Sequence, residues 1–266
     1  MSNGVRAGRR TPTIAQAGAK TVQGPFQMEL MPAPLATFLT HMFGTVNTTG
    51  SGPYEHTATP GAAEDSFTAQ VGIADDGGTV RAFTYEGCKL TGWTIAATAG
   101  EVATLNLATV AQDYLTATAL ASASYGSELP FVFTQGSLSV GGSSLAEITS
   151  VSLEATIPRR IKHALGSALI MDPVENGRRS HMINFTTEFE DLTLHALANT
   201  EVAAVLTFDN GSEDLTITCN AFVEPNTPTH PGVEGDVEEQ FSLMCLGSTD
   251  AEAITAVLNN SESSAT

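Results

Sequence analysis

Cations are the scarce residues of this chain. It has 266 residues, with 11 Lys+Arg against 29 Asp+Glu and a formal charge of −18, and no lysine or arginine follows Arg179. That balance excludes nucleic-acid recognition through phosphate neutralisation, which needs Lys and Arg to release counterions. Cysteine is scarce too. Cys88, Cys219 and Cys245 are far apart, odd in number and without a CxxC pair. A disulfide framework and a zinc site are therefore excluded, and reduced, buried thiols are expected. One Trp and four Tyr are too few to build a sugar-stacking platform. No apolar run reaches 18 residues and the N-terminus lacks the apolar centre of a signal peptide, so a soluble chain made in a cytoplasm, without a membrane span, is expected. Leu, Glu and Lys are too few for a helical bundle.

What is there is rich in Thr, Ser, Ala, Gly and Val, a composition suited to sheets. The charges are segregated along the chain. Residues 1–28 carry Arg6, Arg9, Arg10 and Lys20 and no acid, whereas Ser180–Thr266 carry 15 acids and no cation. A basic arm of +4 is thus joined to a body of −22, with 7 Lys+Arg against the 29 acids. Segregation of this kind bears on what the protein meets, including other copies of itself, and not on its fold.

Residues 1–24 lack a hydrophobic period and are expected to be a flexible arm. Residues 25–258 read as a single β domain and 259–266 as a polar tail. In PLATFLTHMFG, apolar residues fall at Leu35, Phe38, Leu39, Met42 and Phe43, with Pro34 suited to the first turn and Gly44 to the stop. The pattern predicts a helix over 34–43 that packs on a sheet. Two long loops are expected, at 45–66 and 224–240. Elsewhere the period is two: Leu105 and Leu107; Val151, Leu153, Ala155 and Ile157; Ile183, Phe185, Thr187 and Phe189; Leu215, Ile217 and Cys219; Phe241, Leu243 and Cys245. With turn clusters DDGG, GGSS and DNGS between them, these runs predict a mainly β fold, an antiparallel sandwich or barrel with one wet face on each sheet. Thr249 with Glu252 forms a capping-box pattern ahead of Ile254, Val257 and Leu258, which predicts a short C-terminal helix.

Catalytic patterns are missing. The six histidines form no HxH or HExxH pair, and no GxSxG, Walker or GxGxxG segment occurs. Asp75-Asp76-Gly77 lacks the alternating acids of a calcium loop and reads as a type I′ hairpin turn. Glu188 and Glu190 have the spacing of paired carboxylates, but with 29 acids such spacings arise by chance. The residues therefore point to no enzyme, no metal and no cofactor.

The order of features resembles a known family. PLATFLTHMFG, a Gly/Pro segment with YEHTATPG, and the run RAFTYEGCKLTGWTIAATAGEVATLNLATVAQDY are similar to the tail tube proteins, or major tail proteins, of long-tailed bacterial and archaeal viruses. The matching positions are Tyr85, Gly87, Cys88 and Leu90 in one strand, the Gly100, Glu101 and Val102 turn, and the Val151, Leu153, Glu154 strand. The resemblance covers roughly residues 25–258. It implies a β-sandwich with a flanking helix, assembled as hexameric rings whose inner sheets join into one barrel. Stacked rings form the tail tube of the virion, through which the DNA genome passes without specific binding. It also implies contacts with other tail proteins (tape measure, terminator, distal tail) and no catalytic residues.

Three sets of residues follow as candidates. Arg6, Arg9, Arg10 and Lys20 are assigned to an arm that docks on the acidic surface of the next ring. Arg159, Arg160, Lys162, Arg178 and Arg179 are assigned to a subunit contact, since cations on so acidic a body suit a neighbour's carboxylates. Thr104, Asn106, Ser152, Glu154, Thr156, Glu188 and Glu190, on the polar faces of strong strands, are assigned to the lumen. The competing readings are a carbohydrate- or host-binding decoration module of a virion, which would need exposed aromatics, and a β protein adapted to salt, which would spread its acids evenly.

Overall fold

Alternation of period two becomes strands in the computed structural model, which describes residues 18–61, 65–123, 128–226 and 237–265. The chain runs from β1 (Val22–Glu29) into α1 (Pro32–Phe43), then through β2 (Gly44–Gly50), β3 (Tyr54–Pro60) and β4 (Phe67–Ala74). The long β5 (Val80–Thr98), β6 (Thr104–Ala111) and β7 (Asp113–Leu115) follow, and then β8 (Gly136–Val140), β9 (Ser143–Leu145) and β10 (Ile148–Thr156). A small ribbon of β11 (Arg159–Arg160) and β12 (Val174–Glu175) lies within the connection to β13 (Ser180–Glu188). Beyond it come α2 (Thr193–Ala196), β14 (Glu201–Asp209), β15 (Asp214–Val223), β16 (Glu238–Cys245), α3 (Asp250–Ala253) and β17 (Thr255–Asn260).

The strands form a sandwich. One layer, here called the wall, is antiparallel throughout in the order β1-β6-β5-β10-β13-β16. The other has the order β2-β3-β17-β15-β14-β8-β9. Strand β15 links the two. Asp214–Thr218 pair with β17, whereas Ala221–Val223 pair with Leu243–Cys245 of β16. The first half of β5 leaves the wall and pairs with β4 and β7 in a three-stranded extension.

Residues at alternate positions of both layers meet in one core. Trp93, Leu105, Leu107, Leu153, Ile183, Phe185 and Leu243 come from the wall, and Leu206, Phe208, Leu215, Ile217 and Leu258 from the facing layer. Each such side chain contributes about 1.5–3 kcal/mol by leaving water. Helix α1 inserts Leu35, Leu39, Met42 and Phe43, all buried, and the Trp93 indole donates to the Met42 carbonyl at 3.3 Å. Its C-cap is Gly44 at φ 102°, where a Cβ would stand 2.3 Å from the Gly61 carbonyl oxygen; no other residue fits there without displacement.

Several sequence expectations are corrected. The helix starts at Pro32, two residues before the predicted start. The expected 45–66 loop is largely the β2–β3 hairpin, because Val46 and Ala58 alternate with threonines and only the GSGP segment is a true turn. Of the expected arm over 1–24, Val22–Gly24 pair with Thr109–Ala111 in the sheet, and 1–17 lie outside the described residues. Of the 224–240 loop, Glu238–Gln240 belong to β16, and 227–236 lie outside the described residues. The C-terminal helix is one turn, capped as expected by the Thr249 hydroxyl accepting from the Glu252 N–H at 3.3 Å. Ile254, Ala256, Leu258 and Asn260 are then buried on alternate positions around strand β17. Their β-branched neighbours Thr255 and Val257 favour that outcome. Phe189 lies past the end of β13 and is exposed. In the DDGG turn only Gly78 has positive φ, so the turn is not type I′, which requires it at both central residues.

Candidate functional site, a cation-free sheet face

The wall has one dry face in the core and one face turned outward. Register aligns the outward residues in rows across all six strands. One row is Gln27, Asn106, Thr94, Glu154, Met182 and Met244; the next is Glu29, Thr104, Ala96, Ser152, Asn184 and Ser242. A third joins Thr98, Ser150, Thr186 and Gln240. The side chains are small, neutral or acidic, and the Ser242 hydroxyl donates to Asn184 Oδ1 at 2.8 Å. No exposed lysine or arginine stands in these rows; Lys89, in the Gln23–Val110 row further along β5, is almost fully buried.

Five of the seven residues assigned to the lumen lie side by side here: Thr104 and Asn106 on β6, and Ser152, Glu154 and Thr156 on β10. Glu188 lies one row further, directly opposite Glu238, and Glu190 lies beyond the strand. Sequence reasoning missed Gln27, Thr94, Asn184 and Ser242. Their signal was present, since Thr94 and Thr98 alternate with Trp93, Ile95 and Ala97, but which sheet they joined could not be read locally.

Among the described residues the wall has two unpaired edges. β1 pairs only with β6, and Pro25, which offers no N–H, sits on this edge strand. On the other side Glu238–Phe241 of β16 pair with β13 alone, because β15 engages β16 only at Leu243–Cys245. Exposed edges of this kind are templates for pairing with another chain.

The body's cations lie outside these rows, and most are engaged within the subunit. Arg179 grips Glu175 with Nε–Oε1 2.9 Å and Nη2–Oε2 2.8 Å, and it also donates to the carbonyls of Phe43 and Gly61. Arg159 donates to the Leu90 and Pro173 carbonyls. Lys89, almost fully buried, pairs with Asp172 at 2.9 Å, and Arg81 pairs with Asp75. The Asp75 carboxyl is held below its usual range by the Thr79 N–H first and Arg81 second. Arg160, Lys162 and Arg178 are exposed and have no ion-pair partner among the described residues. Lys20 pairs with Asp113 and lies over the Tyr114 ring, 3.8 Å from its centroid. Arg6, Arg9 and Arg10 lie outside the described residues.

The buried polar groups are structural. His56 is held between the Thr48 hydroxyl at 2.8 Å and the Asn260 and Glu262 oxygens at 3.0 Å. His195 Nε2 contacts both oxygens of the buried Glu239 at 3.0 Å, pinning the α2 segment to β16. No group of three or more His, Cys, Asp or Glu side chains with metal-binding geometry occurs among the described residues. Likewise no described helix is long and apolar enough to cross a membrane.

The architecture is a mainly β sandwich with a polar outward sheet face. The chain matches the phage tail tube protein family over residues 2–245 and belongs to it. It is therefore a structural protein of the virion tail. Among curated proteins no match is found.

Proposed function

We propose that this protein forms closed rings, six copies in each as the family resemblance implies, which stack into a tail tube conducting the DNA genome. The observation that carries this reading is the wall: six antiparallel strands, polar and without exposed cations on the outer face, with edges unpaired on both sides among the described residues. Because the strands alternate in direction and are even in number, β16 of one copy and β1 of the next run antiparallel in any cyclic ring. Pairing them removes both exposed edges and continues one barrel around the bore. Thr94, Thr104, Asn106, Ser152, Glu154 and Thr156 then face the genome. Carboxylates and small neutral side chains give phosphates nothing to hold, so the duplex slides. Other tail proteins at the tube's ends complete the assembly.

A sugar-binding module is not favoured. The exposed aromatics Tyr114 and Phe189 lie at opposite ends of the wall and form no platform.

Negative-stain electron microscopy of the purified protein tests the reading. Rings or hollow tubes are expected, and a monodisperse monomer across protein and salt concentrations overturns it. Thr94→Lys with Asn106→Lys and Ser152→Lys should leave tubes intact yet make them retain short duplex DNA that the unmodified tubes release.

A further inference from the structure

Resting on the tube reading, we propose which two surfaces of this chain meet between stacked rings. The β10–β13 connection of one copy docks on the acidic end of the wall in the copy above.

Register gives the wall a polarity. Val22, Ala111, Thr156 and Ser180 mark one end; Glu29, Thr98, Thr104 and Glu188 mark the other. The nine residues of β10 separate the ends by roughly 25–30 Å, well beyond a Debye length of about 8–10 Å, so each end presents its own field. The first end bears residues 157–179, with Arg160, Lys162 and Arg178 exposed. Leu165 there is completely exposed, beside the exposed Leu169, Met171 and Val174. This connection is braced and not a free loop. Arg159 ties it to Leu90, Asp172 ties it to Lys89, and His163 bridges to Ile170. The N-terminal segment joins the fold at the same end, where the Lys20 N–H donates to the Ala168 carbonyl at 2.7 Å.

The opposite end is complementary. Glu188 and Glu238 face each other across β13 and β16, with Glu147, Glu190 and Asp191 exposed close by. Like charges directly opposite are unfavourable inside one subunit, and a neighbour's cations relieve them. Phe189 and Leu192 are exposed at this end, giving the apolar side chains of the connection something to cover. A contact between two different surfaces at opposite ends does not close on itself and propagates as a filament.

Charge reversal tests this. Arg160→Glu with Lys162→Glu and Arg178→Glu, or Glu188→Lys with Glu190→Lys and Asp191→Lys, should each raise the critical concentration for tubes at least tenfold. That is the order expected for three exposed pairs lost together. Single rings should persist in both. Combining the two sets inverts the polarity and should restore tubes. Leu165→Ser, at a site with no packing to lose, should raise the critical concentration several-fold and covers the case in which a triple variant fails to fold. Tubes of unchanged critical concentration in the reversal variants, or loss of rings along with tubes, overturn the axial assignment. An unmodified protein that forms neither rings nor tubes overturns the tube reading itself.

Discussion

The Arg179 guanidinium forks the Glu175 carboxylate and reaches past it to the carbonyls of Phe43 and Gly61, joining the β10–β13 connection to the end of helix α1. Only 9% of the Arg179 side chain is exposed. Removing it takes the fork from Glu175 and one donor from each of two carbonyls, though Phe43 keeps the Gly61 N–H, so Arg179→Ala should cost about 1–3 kcal/mol. Arg179→Lys should recover little, because an ammonium lacks the fork. Urea unfolding under non-assembling conditions measures both.

His181 is buried beside Phe43 and Trp93, with no partner for Nε2 among the described residues. Burial first, and the Arg179 charge second, lower its pKa from 6.5 to about 4. The folded value lies below the unfolded one, so the neutral ring's contribution is complete above pH 6.5. It is lost as pH falls from 6.5 toward 4, by an amount on the order of 3 kcal/mol. His41, also lowered by burial, acts in the same direction. His181→Phe should flatten the pH dependence of the urea midpoint between pH 6.5 and 4.5 without loss at pH 7.5.

Gly44→Ala should cost more than about 2 kcal/mol, since it combines a left-handed φ with a collision against the Gly61 carbonyl. Gly78→Ala, left-handed but in open space, should cost about 1 kcal/mol. A thermal melt of each variant separates the collision from the backbone strain.

All three thiols are buried. Burial pushes the Cys88 thiol up, and a hydrogen bond with Cys219, then burial, pushes Cys245 up. A thiol reagent at pH 8 should therefore label none of them quickly in the native protein and all three in denaturant. Rapid native labelling of Cys219 or Cys245 would contradict the packing of β15 against β16.

Much of the fold was legible because burial imposes a period. Leu105, Val151, Leu215 and Phe241 each begin a run that the core accepts without change, the Ile183 run loses only Phe189, and PLATFLTHMFG carries its own stripe and stop. The β2–β3 hairpin was hidden because its strands are Thr and Gly rich and draw their order from β17, some 200 residues away in sequence. Ile254, Val257 and Leu258 satisfied a helical and a strand pattern equally, and only the pairing of β17 with β15 and β3 chose between them.

The sequence by itself determined the class of the protein, its alternating strands and the segregation of its charge, since composition and period are local properties. Tertiary structure alone decided where that charge is placed. Register between strands distant in sequence collects Thr94, Asn106, Glu154 and Asn184 on one face and sends Arg159 and Arg179 inward to carbonyl oxygens. It leaves Arg160, Lys162 and Arg178 at one end of the wall and Glu188 and Glu238 at the other. Pairing partners are chosen by how the whole core closes, and that choice is not written in any single segment.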